Sequence, residues 1–324
     1  MGTEKGVQMS VRTKKLALTE GITAGILFGT AAIFIRFLQN MDTFQIAFWR
    51  LIIACLTLAV ILIVLGKSLN LNLVRKNLKE LLILSFLLSL HFIFFVSAVK
   101  DTTILNATIL VNTTPIFSVF ISSFLFNIKP SSLAIIGLTI SFIGMCVIAY
   151  AETVSANTLQ EGFSPSLKGD LEAVLAALVE AFYLNYGRKI RKQMTILSIM
   201  FPIYVLAAVI VGILSVPATN KILTLPTEAG IILPLIGLGV LPTATAHTLY
   251  FSSLSNLKSF ETAAMALLEP VGATALGVIL FQEIPAPLFV FGSTLILLGI
   301  FFIVKEKRRK HSGLTKQIKK DEGY

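Results

Sequence analysis

Two apolar stretches of equal length decide the architecture: NTTPIFSVFISSFLFNIKPSSLAIIGLTISFIGMCVIA over residues 112–149, and LLEPVGATALGVILFQEIPAPLFVFGSTLILLGIFFIV over residues 267–304. A shift of 155 positions places prolines on prolines and glycines on glycines. The identical positions include Pro115 with Pro270, Phe126 with Phe281, Pro130 with Pro285, Leu133 with Leu288, Gly137 with Gly292, Thr139 with Thr294, Gly144 with Gly299, and Ile148 with Ile303. Chance does not readily align prolines and glycines at one offset, so we interpret the stretches as an internal duplication.

The composition is that of a membrane protein. Of the 324 residues, 55% are hydrophobic and only 14% are charged, and the mean hydropathy is +0.86. Soluble domains carry about 25% charged residues, because most of a soluble surface needs polar cover. This excludes a soluble enzyme, a disordered chain and a collagen-like fibre. Cys55 and Cys146 lie inside apolar runs without a CxxC motif and are interpreted as packing residues.

Ten runs are long and apolar enough to span a bilayer, since about 20 helical residues cross a hydrocarbon core of about 30 Å. They are Leu16–Leu38, Phe44–Leu65, Lys79–Val99, Ile104–Phe126, Pro130–Tyr150, Leu167–Tyr186, Ile196–Val216, Ala229–Tyr250, Ser259–Phe281 and Pro285–Val304. The runs are apolar on all sides rather than alternating, which excludes the strands of a β-barrel. The predicted fold class is therefore an all-α integral membrane protein with ten transmembrane helices.

The distribution of lysine and arginine predicts the orientation. If the N-terminus is cytoplasmic, 22 of the 27 basic residues fall in cytoplasmic loops and tails, whereas only Lys100, Lys168 and Lys221 lie outside. Both termini are therefore predicted to be cytoplasmic. The basic residues that give the net charge of +10 then orient the helices and contact anionic lipid headgroups. They do not indicate a nucleic-acid partner. We expect a multi-pass protein of the plasma membrane.

The duplication also predicts the domain organisation. We predict a basic N-terminal tail over residues 1–15, a first repeat over 16–150, an extracytoplasmic connector over 151–168, a second repeat over 169–304 and a basic C-terminal tail over 305–324. Each repeat holds five helices. Because five is an odd number, the second repeat begins on the opposite side of the membrane and is inverted relative to the first. Inverted repeats of this kind build transporters that bind substrate near the bilayer midplane.

The two quoted stretches resemble the end of the repeat in the EamA-type ten-helix permeases of the drug/metabolite transporter superfamily. The shared pattern is a proline early in the penultimate helix, an acidic residue after it and a glycine-punctuated last helix. The resemblance covers residues 17–150 and 169–304; Glu283 matches the family's acidic residue in the second repeat, whereas Ile128 replaces it in the first. It implies a permease for small organic metabolites and favours export.

Two carboxyl groups lie inside predicted spans, where an ionisable side chain costs about 2.5–3.5 kcal/mol and calls for an explanation. Glu269 lies near the centre of the ninth span, directly before Pro270; Thr114 and Pro115 are the repeat counterparts. Both prolines are predicted to be helix hinges that free backbone carbonyl groups. Glu180 lies in the middle of the sixth span. Each Glu is a candidate for binding a proton, a cation or an amine, and the alternative is a protonated carboxyl group that only joins helices.

Other polar side chains complete the candidate set. Arg50 is a candidate for binding a substrate carboxylate or for neutralising Glu180 or Glu269, and a structural ion pair is the alternative. Asn112, Thr114, Tyr183, Tyr250 and Trp49 are further candidates for lining a binding cavity. Helix packing and interfacial aromatic belts explain the aromatic members equally well.

His91 and His247 are repeat counterparts at an offset of 156 residues. Inversion is expected to place them at opposite depths of the membrane, so that they do not share a metal site. Interhelical hydrogen bonds are favoured over a proton relay for both.

The predicted function is secondary transport of small organic solutes, such as amino acids or drug-like molecules, by alternating access between the two repeats. Proton coupling through Glu269 or Glu180 stays open, as do exchange and facilitated passage. The chain has no Walker A motif, and neither enzyme activity, a cofactor nor a metal is predicted. The alternatives are an intramembrane enzyme acting on lipid or isoprenoid substrates, and a channel. Substrate identity, direction and oligomeric state stay open.

Overall fold

The computed structural model describes residues 13–155, 166–219, 226, 228–281 and 287–305. Every regular element within these ranges is a helix. Most of both predicted tails and most of the connector lie outside the described residues, as do Glu283 and Pro285.

Fifteen α-helices follow one another along the described chain. They are α1 (Lys14–Phe28), α2 (Ala31–Phe37), α3 (Thr43–Val64), α4 (Leu71–Lys76), α5 (Leu78–Asp101), α6 (Ile104–Val111), α7 (Thr114–Phe124), α8 (Ser132–Ser155), α9 (Leu167–Arg191), α10 (Ile196–Thr219), α11 (Ala229–Leu238), α12 (Thr248–Ser253), α13 (Ser259–Met265), α14 (Glu269–Phe281) and α15 (Pro287–Val304). A π-helical segment, Gly239–His247, joins α11 to α12, and a 3-10 turn, Ala266–Leu268, joins α13 to α14.

Eight helical segments of the described chain are long and apolar enough to cross a membrane. They are Lys14–Phe37, Thr43–Val64, Leu78–Asp101, Ile104–Phe124, Ser132–Ala151, Ile196–Pro217, Ala229–Ser253 and Pro287–Val304. The predicted sixth span corresponds to α9, which is long enough but more polar, because it carries acidic residues along its length and basic residues in its last turn. The predicted ninth span is divided among α13, the 3-10 turn and α14.

Two of the spans are interrupted where the sequence places a proline. The helix break after α6 lies at Asn112 and Thr113, and Pro115 falls in the first turn of α7. The 3-10 turn Ala266–Leu268 precedes Pro270 in the same way. Proline has no backbone N–H to donate and fits the first turn of a helix, so each break lies directly before its proline.

Glycines bring α8 and α15 into close contact. A Cβ atom on Gly144 would lie 2.6 Å from the carbonyl oxygen of Gly292, and one on Gly137 would lie 2.5 Å from that of Gly299. Between the two glycines of α8, Ser141 Oγ donates a hydrogen bond of 3.2 Å to the carbonyl oxygen of Ile296. Small residues allow helix backbones to approach closely in lipid, where dispersion contacts drive packing.

The interrupted spans pack against α9 and α1. The helix α9 packs against α5, α6 and α7, and α1 packs against α12, α13 and α14. A Cβ atom on Gly25 would collide with the backbone of Met265, and one on Gly29 would collide with that of Ala273. The small residues of α1 therefore allow it to pack directly against the divided ninth span.

Candidate functional site

A small internal cavity lies where the interrupted helices meet. Its volume is about 50 Å³, which is room for a few water molecules rather than for a metabolite. The lining residues come from both halves of the chain and are Phe28, Ala31, Arg50, His91, Phe95, Val111, Asn112, Thr114, Glu180, His247, Tyr250, Ala266 and Glu269. Eight of the predicted site residues thus line one cavity: Arg50, His91, Asn112, Thr114, Glu180, His247, Tyr250 and Glu269.

Glu269 is buried at the start of α14 and bonded to the other helix break. Asn112 Nδ2 donates a hydrogen bond of 3.0 Å to Glu269 Oε2 and another of 2.9 Å to the carbonyl oxygen of Thr108. Asn112 takes this position because α6 ends there, which turns its side chain back over the last turn of the helix. The two breaks are therefore joined by a carboxamide and a carboxyl group.

Glu180 lies beside His91 near the middle of α9. His91 Nδ1 lies 3.5 Å from Glu180 Oε2 and 3.1 Å from the carbonyl oxygen of Ala176. An N–H at Nδ1 donates to the Ala176 carbonyl, and this bond holds the ring between α5 and α9. It is an interhelical hydrogen bond of the kind predicted for this residue.

Arg50 is held by Thr243 and Phe92. Its Nε donates a hydrogen bond of 3.0 Å to Thr243 Oγ1, and its guanidinium carbon lies 3.9 Å from the centre of the Phe92 ring. Within the described part of the chain, no carboxylate oxygen lies within ion-pairing distance of Arg50. Of the candidate roles, neither the direct neutralisation of Glu180 or Glu269 nor a structural ion pair is therefore formed within the described residues.

The π-helical segment makes this arrangement possible. Thr243 Oγ1 donates a hydrogen bond of 2.6 Å to the carbonyl oxygen of Leu238, five residues earlier. Tyr204 Oη donates a hydrogen bond of 2.8 Å to the carbonyl oxygen of Thr243. A π turn widens the helix by one residue and leaves backbone groups to be satisfied by side chains. Thr243 and Tyr204 were not predicted as site residues; Pro242 and the small polar residues that follow it are the signal for an irregular helix here.

The prediction that the two histidines lie at opposite depths is wrong. The ring centres of His91 and His247 are 5.7 Å apart. Both residues line the same cavity. Within the described residues, no three His, Cys, Asp or Glu side chains are arranged to hold a metal ion.

Aromatic rings enclose the cavity on one side. The ring of His247 lies 4.8 Å from that of Phe28 and 4.9 Å from that of Phe92, and Tyr250 lies 5.1 Å from Phe28, all edge-to-face. Such contacts fix the orientation of the rings.

Four predicted residues lie elsewhere. Tyr183 is buried in the core, with its hydroxyl group 3.6 Å from Met200 Sδ, and Trp49 packs against Phe48. Pro115 lines a separate groove on the outer surface, and Pro270 is buried next to Glu269 without lining the cavity.

Unpaired polar atoms distinguish the cavity from an ordinary packed core. Six buried side-chain atoms of lining residues have no hydrogen-bond partner within the described chain: Arg50 Nη1, Asn112 Oδ1, Glu180 Oε1 and Oε2, His247 Nδ1 and the Tyr250 hydroxyl oxygen. Each buried group left unpaired costs about 1–3 kcal/mol, and charged groups cost more. The cavity therefore presents both donors and acceptors to a polar molecule.

Comparison with known proteins gives a consistent result. The family described as EamA-like transporter family matches residues 16–150 and 167–305. An uncharacterized transporter, YxxF, of Bacillus subtilis is 21% identical over 302 residues, covering 93% of this chain and 94% of the relative. An uncharacterized transporter of Archaeoglobus fulgidus is 26% identical over 303 residues, covering 91% and 97%. A solved crystal structure shares the fold with a TM-score of 0.72 at 17% identity, covering 94% of this chain and 99% of that one.

Proposed function

Because the chain belongs to the EamA-like transporter family, and thereby to the drug/metabolite transporter superfamily, we propose that it carries small zwitterionic solutes, such as amino acids, through the central cavity. A multi-pass membrane transporter is the function that its family and its apolar helices establish. The finer proposal rests on one observation, which is the set of unpaired donors and acceptors around one cavity.

The chemistry of the unpaired atoms favours a solute with both charges. Arg50 offers a guanidinium N–H, which suits a carboxylate, and Glu180 offers two unpaired oxygens, which suit an ammonium group. Neither group has an oppositely charged, fully ionic partner in the described chain, because His91 is charged only when it is protonated. A zwitterion pairs with both at once.

We propose alternating access between two inverted five-helix repeats as the mechanism, with both termini cytoplasmic. Ser141 and Ile296, the pair bonded at the centre of the α8–α15 contact, are 155 residues apart, which is the offset of the duplication. The glycine contacts are reciprocal under the same offset: Gly137 meets Gly299, and Gly144 meets Gly292. Reciprocal contacts of this kind are typical of a two-fold relation between the repeats.

The small size of the cavity supports a mechanism that needs a conformational change. A volume of about 50 Å³ does not hold an amino acid, so the cavity has to open before a solute binds. The breaks at Asn112–Thr113 and Ala266–Leu268 lie on its wall and are the places where the helices bend most easily. Pro115 and Pro270 act as the hinges.

We further propose that Glu269 and Glu180 couple transport to protons, that transport is outward, and that the protein resides in the plasma membrane. Both carboxyl groups are buried in the cavity wall, where binding of a proton and binding of an ammonium group compete for the same oxygens. Export is supported by the family resemblance of the two repeat ends.

Counterflow in proteoliposomes tests the proposed function. The purified full chain is loaded with one unlabelled amino acid at a time, and the accumulation of the same labelled amino acid is measured. We expect saturable accumulation for at least one amino acid, and its loss in Arg50→Gln but not in Cys146→Ser, since Cys146 is exposed on the outer surface. Unitary voltage-driven currents, or the absence of saturable counterflow for every amino acid, would contradict the proposal.

A further inference from the structure

A second cavity, of different character, lies on the outer surface between α7 and α8. This groove has a volume of about 460 Å³ and is lined almost entirely by apolar side chains. The lining residues are Asn112, Pro115, Ile116, Val119, Phe120, Ile135, Leu138, Thr139, Phe142 and Leu267. We call this site the α7–α8 groove.

The walls of the groove face the hydrocarbon region of the membrane. Phe120 and Ile135 are exposed to 56% and 49%, and both belong to helices that are apolar enough to cross the bilayer. An exposed apolar surface within a membrane span is in contact with lipid. The α7–α8 groove is therefore reached from the lipid phase.

The groove and the central cavity share one lining residue, which is polar. Asn112 lines both spaces. It is only 1% exposed, its Nδ2 is bonded to Glu269, and its Oδ1 has no hydrogen-bond partner within the described chain. A molecule that fills the groove thus contacts Asn112, whose side chain carries an unpaired acceptor and is bonded to a carboxyl group.

We propose that the α7–α8 groove binds amphipathic organic amines from the bilayer. The apolar body lies between α7 and α8, and the ammonium group donates to Asn112 Oδ1, beside Glu269. This inference does not rest on the proposed function, because binding in the groove stands on the geometry alone.

The polar end of the groove selects this class of occupant. A lipid acyl chain also fits an apolar groove, but it leaves Asn112 Oδ1 unpaired. An anionic head would lie beside the carboxyl group of Glu269, which repels it when ionised. A cation with N–H donors pairs with the Asn112 acceptor and is attracted by the Glu269 carboxylate.

Binding of dansylcadaverine, a fluorescent apolar amine, to the full chain in phosphatidylcholine nanodiscs tests the proposal. Its N-acetylated form, which has the same ring but no charge, is the matched probe, and empty nanodiscs give the background. We expect saturable binding of the amine and affinity weaker by about tenfold or more for the acetylated form, the effect of losing one charge-assisted hydrogen bond.

Two neighbouring residues of α8 provide a matched pair of variants. Ile135 and Ile136 are equally exposed, at 49% and 50%, but only Ile135 lines the groove. We expect Ile135→Phe and Val119→Phe, which fill the groove, to weaken dansylcadaverine binding by about tenfold, and Ile136→Phe to leave it within about twofold. Thermal unfolding of each variant in detergent confirms that all three are folded.

The outcomes separate this inference from the proposed function. Equal binding of the amine and its acetylated form would identify the groove as a lipid acyl-chain site and overturn the proposal. Unchanged amine binding in both filled variants would show that amines do not use the groove. Normal groove binding without any transport would instead contradict the proposed function and leave the binding site standing.

Discussion

Asn112 Nδ2 donates a 3.0 Å hydrogen bond to Glu269 Oε2, which joins the break after α6 to the first residue of α14. The two residues belong to opposite halves of the chain, and both are buried in the cavity wall. Any movement that separates the halves at this point breaks the bond. The protonation state of the Glu269 carboxyl group therefore directly affects how easily the cavity opens.

Replacement of Glu269 by glutamine is expected to abolish the pH dependence of transport without unfolding the protein. The amide oxygen of Gln accepts the same bond from Asn112, but the side chain no longer binds or releases a proton. Uptake into proteoliposomes with and without a pH gradient measures the effect. Glu228→Gln, which changes an exposed residue, is the control. Undiminished pH dependence in Glu269→Gln would remove the coupling role of Glu269.

Replacement of Arg50 by lysine is expected to impair the transport of solutes that carry a carboxylate and to leave the binding of solutes without a carboxylate unchanged. Lysine keeps the charge but loses the planar fork and the Nε bond to Thr243. The KM for the best transported amino acid should rise by about tenfold, whereas inhibition of that transport by its methyl ester should stay unchanged. An equal loss for the amino acid and the ester would show that Arg50 supports the fold rather than binds the carboxylate.

The apolar runs were sufficient to predict a helical, multi-pass membrane protein, because helix length and apolar composition are local properties of the sequence. The π-helical segment could not be predicted in this way. Its geometry depends on Tyr204 and Arg50, which lie in other helices and bond to Thr243. The local sequence around Pro242 indicates only that the helix is irregular there.

The position of Tyr183 outside the cavity has a related cause. Tyr183 and Glu180 lie on the same helix, three positions apart, and the rotation of α9 about its axis decides which of them faces the cavity. That rotation is determined by contacts with α5 and α7, including the bond from Asn185 Nδ2 to Ser118 Oγ. Such long-range contacts leave no periodic trace in a sequence that is apolar on all sides.

Substitution of Gly144 by leucine is expected to destabilise the α8–α15 contact. A Cβ atom at this position would lie 2.6 Å from the carbonyl oxygen of Gly292, so the two helices have to separate. Overpacking of this kind costs about 1–3 kcal/mol, which lowers the melting temperature by several degrees. Gly230→Leu is the matched control, because no atom lies within 4 Å of a Cβ built there. Equal melting temperatures for Gly144→Leu and the unmodified protein would contradict the close glycine contact.

Replacement of Thr243 by valine is expected to release Arg50 from its position. Valine has nearly the same shape as threonine but removes the acceptor for Arg50 Nε and the donor to the Leu238 carbonyl. A buried guanidinium that loses its partner costs about 1–3 kcal/mol or more, so both the melting temperature and the affinity for carboxylate solutes should fall. Thr243→Ser keeps the hydroxyl group and should retain most of both properties. If valine and serine behave alike, the hydroxyl group does not hold Arg50, which leaves the contact with the Phe92 ring to position the guanidinium group.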